Sequence, residues 1–220
     1  MDSGKVKIGY WKIRGLIAPV RYLLEYLGVE YEDVQYEQGD GPEFSRDAWF
    51  SVKPSLSLDF PNLPYLFHKD VHITESQAII RYIANEFAPA SFSGKDSHDK
   101  AHVDMIFSVV SDIKSAVTMS FYTGDPETVK RAQIERWPAV EKYLGDKAFF
   151  AGDYVTFVDF FVWEQIELFE WFSNGEFAKQ YPKLAAYHAR VAALPKFAEY
   201  LKSDRFMKRT FNNKVAKINN

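Results

Sequence analysis

The 220-residue chain contains no cysteine. That excludes disulfides, thiolate metal sites and a cysteine nucleophile, so any thiol chemistry must use a sulfur that arrives with a substrate. No apolar run approaches the roughly 20 residues that cross a bilayer. The opening segment, Met1 to Gly9, carries Lys5 and Lys7, but no apolar signal-peptide stretch follows. The expected location is therefore the cytoplasm, with no membrane partner. A formal charge of -3 gives no broad attraction to nucleic acid. The one charge asymmetry, Lys202, Arg205, Lys208, Arg209, Lys214 and Lys217, reads as a solvated tail. Neither a phosphate-cradling glycine loop nor a dinucleotide fingerprint is present, and the five histidines show no metal-ligand pattern. His68 and His72 could face each other on adjoining strands, but no metal is expected. Aromatic residues, by contrast, make up 17% of the chain, enough for a large core or a pocket for flat apolar molecules.

The first third alternates strand and helix patterns. Val6 and Ile8 alternate with lysines as a short strand that Gly9 should break. Pro19 opens a helix with Val20, Leu23, Leu24 and Leu27 on one face, and Gly28 closes it. Strands follow at Tyr31 to Tyr36, Tyr65 to Phe67 and Val71 to Ile73, with a long loop marked by Gly39, Gly41 and Pro42. Ile79, Ile80, Ile83 and Phe87 form a stripe on a helix from Ser76. This order implies a small α/β unit over residues 1–87, followed by an Ala-, Ser-, Pro- and Gly-rich linker at 88–97. Residues 98–220 carry helical signals only. His102, Ile106, Val109, Val110, Ile113, Ala116 and Val117 predict one face of a long helix. Asp125, Pro126 and Glu127 start another helix, which Pro138 should kink and Gly145 should stop. Thr156 and Asp159 read as a capping box, with Val155 and Phe160 as its staple.

Two runs carry a further signal: Gly9-Tyr10-Trp11-Lys12-Ile13-Arg14-Gly15-Leu16 and Leu58-Asp59-Phe60-Pro61-Asn62-Leu63-Pro64-Tyr65-Leu66. The first resembles the mu-class signature of the cytosolic glutathione transferases, and the second matches that class almost letter for letter. The resemblance continues through Gly39 to Pro42, Arg46, Trp49 and the capping box, covering nearly the whole chain. It implies the glutathione transferase fold: an N-terminal thioredoxin-like domain that binds glutathione, then an all-helical domain that forms much of the electrophile site. It also implies an enzyme that joins the thiolate of reduced glutathione, a co-substrate, to hydrophobic electrophiles in detoxification. No cofactor is implied.

The resemblance assigns roles residue by residue. Tyr10 falls where the family keeps its catalytic phenol, whose hydroxyl, donated to sulfur, lowers the thiol pKa. A tyrosine ending a strand is otherwise an ordinary structural residue. Trp11, Arg46, Trp49 and Lys53 align with residues that hold the glycine end of the tripeptide, a cation near a carboxylate being an obvious partner. On residue type alone, Trp49 could be a core aromatic and Lys53 a surface charge. Leu16 and Asn62 belong to the same glutathione set. Leu63 precedes Pro64, cis in the family, so that the Leu63 backbone faces the cysteinyl part of the ligand; Pro64 could equally be a routine loop proline. Glu75 and Ser76 open a helix whose free amides suit the γ-glutamyl carboxylate. Glu75 stands where the mu pattern has glutamine. Asp112 aligns with an acidic residue that reaches the neighbouring subunit's glutathione, and it shares a helix face with Met105 and Met119. Tyr122 aligns with a second tyrosine that donates a proton to some electrophiles. Phe60 matches an aromatic that inserts into the partner of a homodimer, with Arg81 beside the axis. Ile13, Leu16, Tyr122 and the stretch near Phe211 are candidates for the electrophile pocket. Two other readings keep the same fold: a non-catalytic carrier of hydrophobic ligands and a glutathione-dependent isomerase.

Overall fold

The computed structural model describes residues 4–219. Met1–Ser3 and Asn220, which include the start of the segment read for a signal and the ends of the two expected domains, lie outside the described residues. Strand β1 (Val6–Trp11) leads into helix α1 (Ala18–Leu27), strand β2 (Tyr31–Tyr36) and the short helix α2 (Asp47–Phe50). Strands β3 (Tyr65–His68) and β4 (Val71–Thr74) precede helix α3 (Ser76–Phe87). The sheet order is β2-β1-β3-β4, with β1 parallel to β2 and the other pairs antiparallel. Beyond it lie α4 (Ser97–Thr123), α5 (Pro126–Leu144), α6 (Phe157–Phe172), α7 (Glu176–Gln180), α8 (Pro182–Ala192) and α9 (Pro195–Lys202).

Gly9 does not break β1, which runs on to Trp11. Its missing side chain has another cause: a Cβ there would lie 2.1 Å from Cζ of Tyr65, whose ring crosses the strand. Helix α1 ends as its sequence predicts, with Gly28 in the left-handed region at φ 71°. The segment between the two halves is more ordered than a linker composition predicts, because Ala90–Ser93 forms a 3-10 turn and Phe92 is buried. Helix α5 runs unbroken past Pro138.

Helix α6 lies at the centre of the core, with every residue from Phe157 to Ile166 buried. A helix apolar all round must be enclosed by its neighbours, and α1, α4, α7 and α8 surround this one. Its three polar residues in that stretch therefore need partners. Asp159 closes the capping box with Thr156 and accepts hydrogen bonds from the Thr156 amide at 2.8 Å, the Phe150 amide at 3.2 Å and the Tyr187 hydroxyl at 2.9 Å. Glu164 pairs with Arg14, whereas Oε1 of Gln165 has no protein partner among the described residues.

Helix α4 departs from its expected face. Ile106, Val110, Ile113 and Val117 are buried with Val103 and Phe107, but His102, Val109 and Ala116 are exposed. The helix has two apolar stripes, and the sequence spacing merged them.

Candidate functional site

Strand register gathers the site at one end of the sheet. Because β3 is antiparallel to β1 and Gly9 faces Tyr65, β3 begins where β1 ends. Thr74 pairs with Tyr65, so β4 also ends there. Tyr10 and Trp11, Leu63, and Glu75 with Ser76 are thus brought to one edge. The Leu63–Pro64 bond is cis, as is Gly41–Pro42. Trp49 is buried against Tyr36 and Tyr65, with ring centroids 5.3 and 6.3 Å away, so most of its ring does belong to the core. Arg46 is exposed, and its guanidinium lies 5.1 Å from the Phe50 ring; Lys53 is half-buried with Nζ 5.8 Å from that same ring. Asn62 is exposed. Glu75 precedes α3 at φ 70° and ψ 113°, a strained conformation for a residue with a side chain. Such strain is concentrated at ligand-binding positions.

Tyr10 is almost fully enclosed. Burial pushes the pKa of its hydroxyl up to about 12, with the nearby Leu16 backbone working the other way. At neutral pH the phenol therefore keeps its proton. Gly15 allows this placement, because a Cβ there would lie 2.7 Å from Cε1 of Tyr10. Tyr10 lines a cavity of about 140 Å³ with Ile13, Leu16, Phe121, Tyr122, Leu168 and Phe211. The hydroxyl of Tyr122 accepts a hydrogen bond from the Asn213 amide at 3.3 Å.

Arg14 is the pin of the site, and residue type alone did not single it out. It is 1% exposed and holds Glu164 through Nε at 3.1 and 3.2 Å and through Nη2. Tyr22 donates to the same carboxylate at 2.6 Å. Burial works against the charge on Arg14, and Glu164 more than restores it, leaving the pKa above its ordinary value. The guanidinium also donates to the Lys208 carbonyl at 3.1 Å and lies 4.1 Å from the Phe211 ring.

The basic side chains Lys202, Arg205, Lys208, Arg209, Lys214 and Lys217 are exposed, as a solvated tail predicts, but the backbone that carries them is docked. The Arg14 and Gly15 amides donate to the carbonyls of Thr210 and Phe211, at 2.7 and 3.1 Å. Arg205 pairs with Glu25, Lys214 bonds Asp40 at 2.6 Å, and Phe211 is buried. The tail docks through its backbone carbonyls and through Phe211, whose ring lines the cavity.

Three expected residues stand apart. Asp112 is exposed on the outer face of α4 and does not line the cavity of its own chain. Phe60 is 79% exposed. Arg81 bonds Asp104 at 2.9 Å within the chain, its guanidinium 4.7 Å from the Phe107 ring. His68 and His72 do sit on adjoining strands, but Nδ1 of His68 is 2.7 Å from the Tyr82 hydroxyl and His72 meets the Ser57 carbonyl. Asp96, His98 and Asp99 form a surface group in which Asp96 caps α4 and Asp99 accepts from Tyr154. Among the described residues no helix is long and apolar enough to cross a membrane.

The N-terminal domain model of glutathione S-transferases matches residues 6–85, and the C-terminal domain model matches residues 111–204. Glutathione S-transferase Mu 5 of Mus musculus is 38% identical over 224 residues, covering 100% of this chain and 98% of its own. Glutathione S-transferase Mu 3 of Homo sapiens is 38% identical, covering 97% and 95%. Among solved structures, the glutathione S-transferase Blo t 8 superposes with a TM-score of 0.80 at 30% identity, over 97% of this chain and 100% of that one. Rat hPGDS complexed with a quinoline shares the fold, with a TM-score of 0.77 at 24% identity over 93% and 99% of the two chains. With both halves of the fold, the arrangement around Tyr10 and full-length relatives in agreement, this chain belongs to the mu class of the glutathione S-transferase family.

Proposed function

We propose that the chain conjugates the thiolate of reduced glutathione to hydrophobic electrophiles, with Tyr10 as the residue that holds the sulfur ionised. The observation that carries this is the state of the phenol: buried, protonated, and lining a mostly apolar cavity. Its own hydrogen is then the free donor, and donation to a neighbouring sulfur favours the thiolate over the thiol. Trp11, Arg46, Trp49 and Lys53 take the glycine end of the tripeptide, while Leu16, Asn62 and the Leu63 backbone hold its middle. The Ser76 amide at the start of α3 receives the γ-glutamyl carboxylate, and Glu75 pairs with the adjacent ammonium. Tyr122 donates a proton to electrophiles that need one. The cavity wall from Ile13, Phe121, Leu168 and Phe211 supplies apolar contact and excludes water.

The working unit is a homodimer in which Phe60 enters the partner beside Arg81 and Asp112 reaches the partner's glutathione. Residues 1–87 form the thioredoxin-like glutathione-binding domain and 98–220 the helical one, joined at 88–97. The place of action is the cytosol, where thiols are kept reduced.

Tyr10→Phe tests the reading directly. Ultraviolet absorbance of the bound thiolate, followed against pH, should show the glutathione thiol ionising at clearly higher pH in the variant. Turnover of an aryl halide should fall by about 10²-fold, the usual effect of removing one anion-stabilising donor. A thiol that ionises in the wild-type complex no more readily than in buffer sinks the proposal.

A further inference from the structure

The cavity beside Tyr10 is apolar on most of its wall, yet one stretch is polar and incompletely partnered. Lys114, on α4, lines it from half-buried surroundings. Its ammonium donates to the Gly15 carbonyl at 3.2 Å and makes no ion pair among the described residues. Glu164 lies on the same wall, but its carboxylate is already held by Arg14 and Tyr22. Two further polar groups on that wall, Oε1 of Gln165 and Nδ2 of Asn212, are buried with no protein partner among the described residues. Buried polar groups are normally satisfied, and a buried cation normally has a counter-ion. This wall withholds both.

We propose that Lys114 is a specificity-determining residue of the electrophile site, selecting electrophiles that carry a carboxylate on a single small ring. The inference rests on the conjugation reading above. An anionic substituent supplies the missing counter-charge, and its oxygens can accept from Lys114 and from the Asn212 amide. The size follows from the cavity: about 140 Å³ is close to the roughly 150 Å³ that admits benzene. Desolvation lowers the Lys114 pKa to about 8, with Glu164 opposing it. The ammonium is therefore mostly present at pH 7 and lost as pH rises through about 8. The other titratable groups on the cavity are Tyr10, Tyr122 and Glu164, with Arg14 behind Glu164. Tyr10, raised by burial to about 12, titrates well above that window.

The test compares para-chloro-meta-nitrobenzoate with the corresponding benzamide, each offered with glutathione. In both, the thiolate attacks the chlorine-bearing carbon, a C–S bond forms, and chloride leaves with the bonding pair while the thiol proton goes to solvent. Thiol ionisation is common to the two substrates and cancels in the ratio of their kcat/KM values. That ratio should fall about tenfold in Lys114→Met, the size of one charge-assisted hydrogen bond. In the wild type it should decline as pH rises through about 8, whereas in Lys114→Arg it should stay high and flat across the same range. The wild-type pH profile and the arginine variant decide the matter even where the methionine variant fails to fold. A pH-independent wild-type ratio, or one unchanged by Lys114→Met, overturns the inference alone. Turnover of neither substrate by the wild type overturns the conjugation reading and this inference with it.

Discussion

At the scale of single residues, the placement of Tyr10 depends on a neighbour that has no side chain. Gly15 sits at φ 43°, and a Cβ built there would lie 2.7 Å from Cε1 and 2.9 Å from the hydroxyl of Tyr10. Gly15→Ala must therefore displace the phenol while also adopting a left-handed backbone that costs about 1–2 kcal/mol. A displacement on the order of 1 Å in a reacting group can cost about 10²-fold in rate. We expect kcat/KM to fall by about 10–100-fold with a modest loss of stability, read by steady-state kinetics alongside urea unfolding. Wild-type kinetics in this variant sink the claim. The motif around Tyr10 is legible through its resemblance to the mu-class signature, but the reason for Gly15 is not, because a contact between a glycine and an aromatic ring leaves no pattern in one sequence. Lys114 was hidden for a similar reason. A lone lysine in a helix with apolar residues on both faces does not announce which face it occupies.

At the scale of elements, the Arg14–Glu164 pair ties the loop after β1 to the centre of α6 and, through Phe211 and Lys208, to the tail. Removing one member leaves the other as an uncompensated buried charge, which costs about 3–5 kcal/mol. Replacing both with apolar residues removes that penalty. Arg14→Met alone should therefore lose about 3–5 kcal/mol in urea unfolding, and adding Glu164→Leu should restore a large part of it. A double variant as unstable as the sum of its single losses contradicts this account. The longer helices, strands β2 to β4 and the capping box at Thr156 are readable from local propensity and spacing, whereas the short helices α2 and α7 and the run of β1 through Gly9 to Trp11 are not. Nor is the ion pair, because its partners lie 150 residues apart and nothing in either neighbourhood names the other. The docking of the tail is hidden on the same grounds. Its backbone carbonyls accept from Arg14 and from the amides of Arg14 and Gly15, and Lys214 reaches Asp40, while the basic side chains themselves stay exposed.

At the scale of the whole molecule, the second apolar stripe of α4 stays exposed among the described residues. Met105 is 45% exposed and Met119 66%, with Val109 and Asp112 between them, and Phe60 stands out at 79%. Large apolar side chains exposed along one helix face mark interaction sites more often than isolated exposed residues do. The merged stripes in the sequence thus record two separate demands on one helix, one from the core and one from the surface that the homodimer proposal covers. If Phe60 anchors that contact, its truncation removes a central aromatic whose loss at such sites costs about 2 kcal/mol or more. Phe60→Ala should then weaken dimerisation by at least about 30-fold, with the monomer fraction rising on dilution in sedimentation equilibrium. Circular dichroism of the variant should match the wild type, because Phe60 is largely free of intrachain contact. Asp112→Asn, which leaves the apolar stripe intact, should keep the dimer while raising KM for glutathione. A wild-type chain that sediments as a monomer, or a Phe60→Ala dimer of undiminished strength, removes the basis for placing Asp112 beside a partner's ligand.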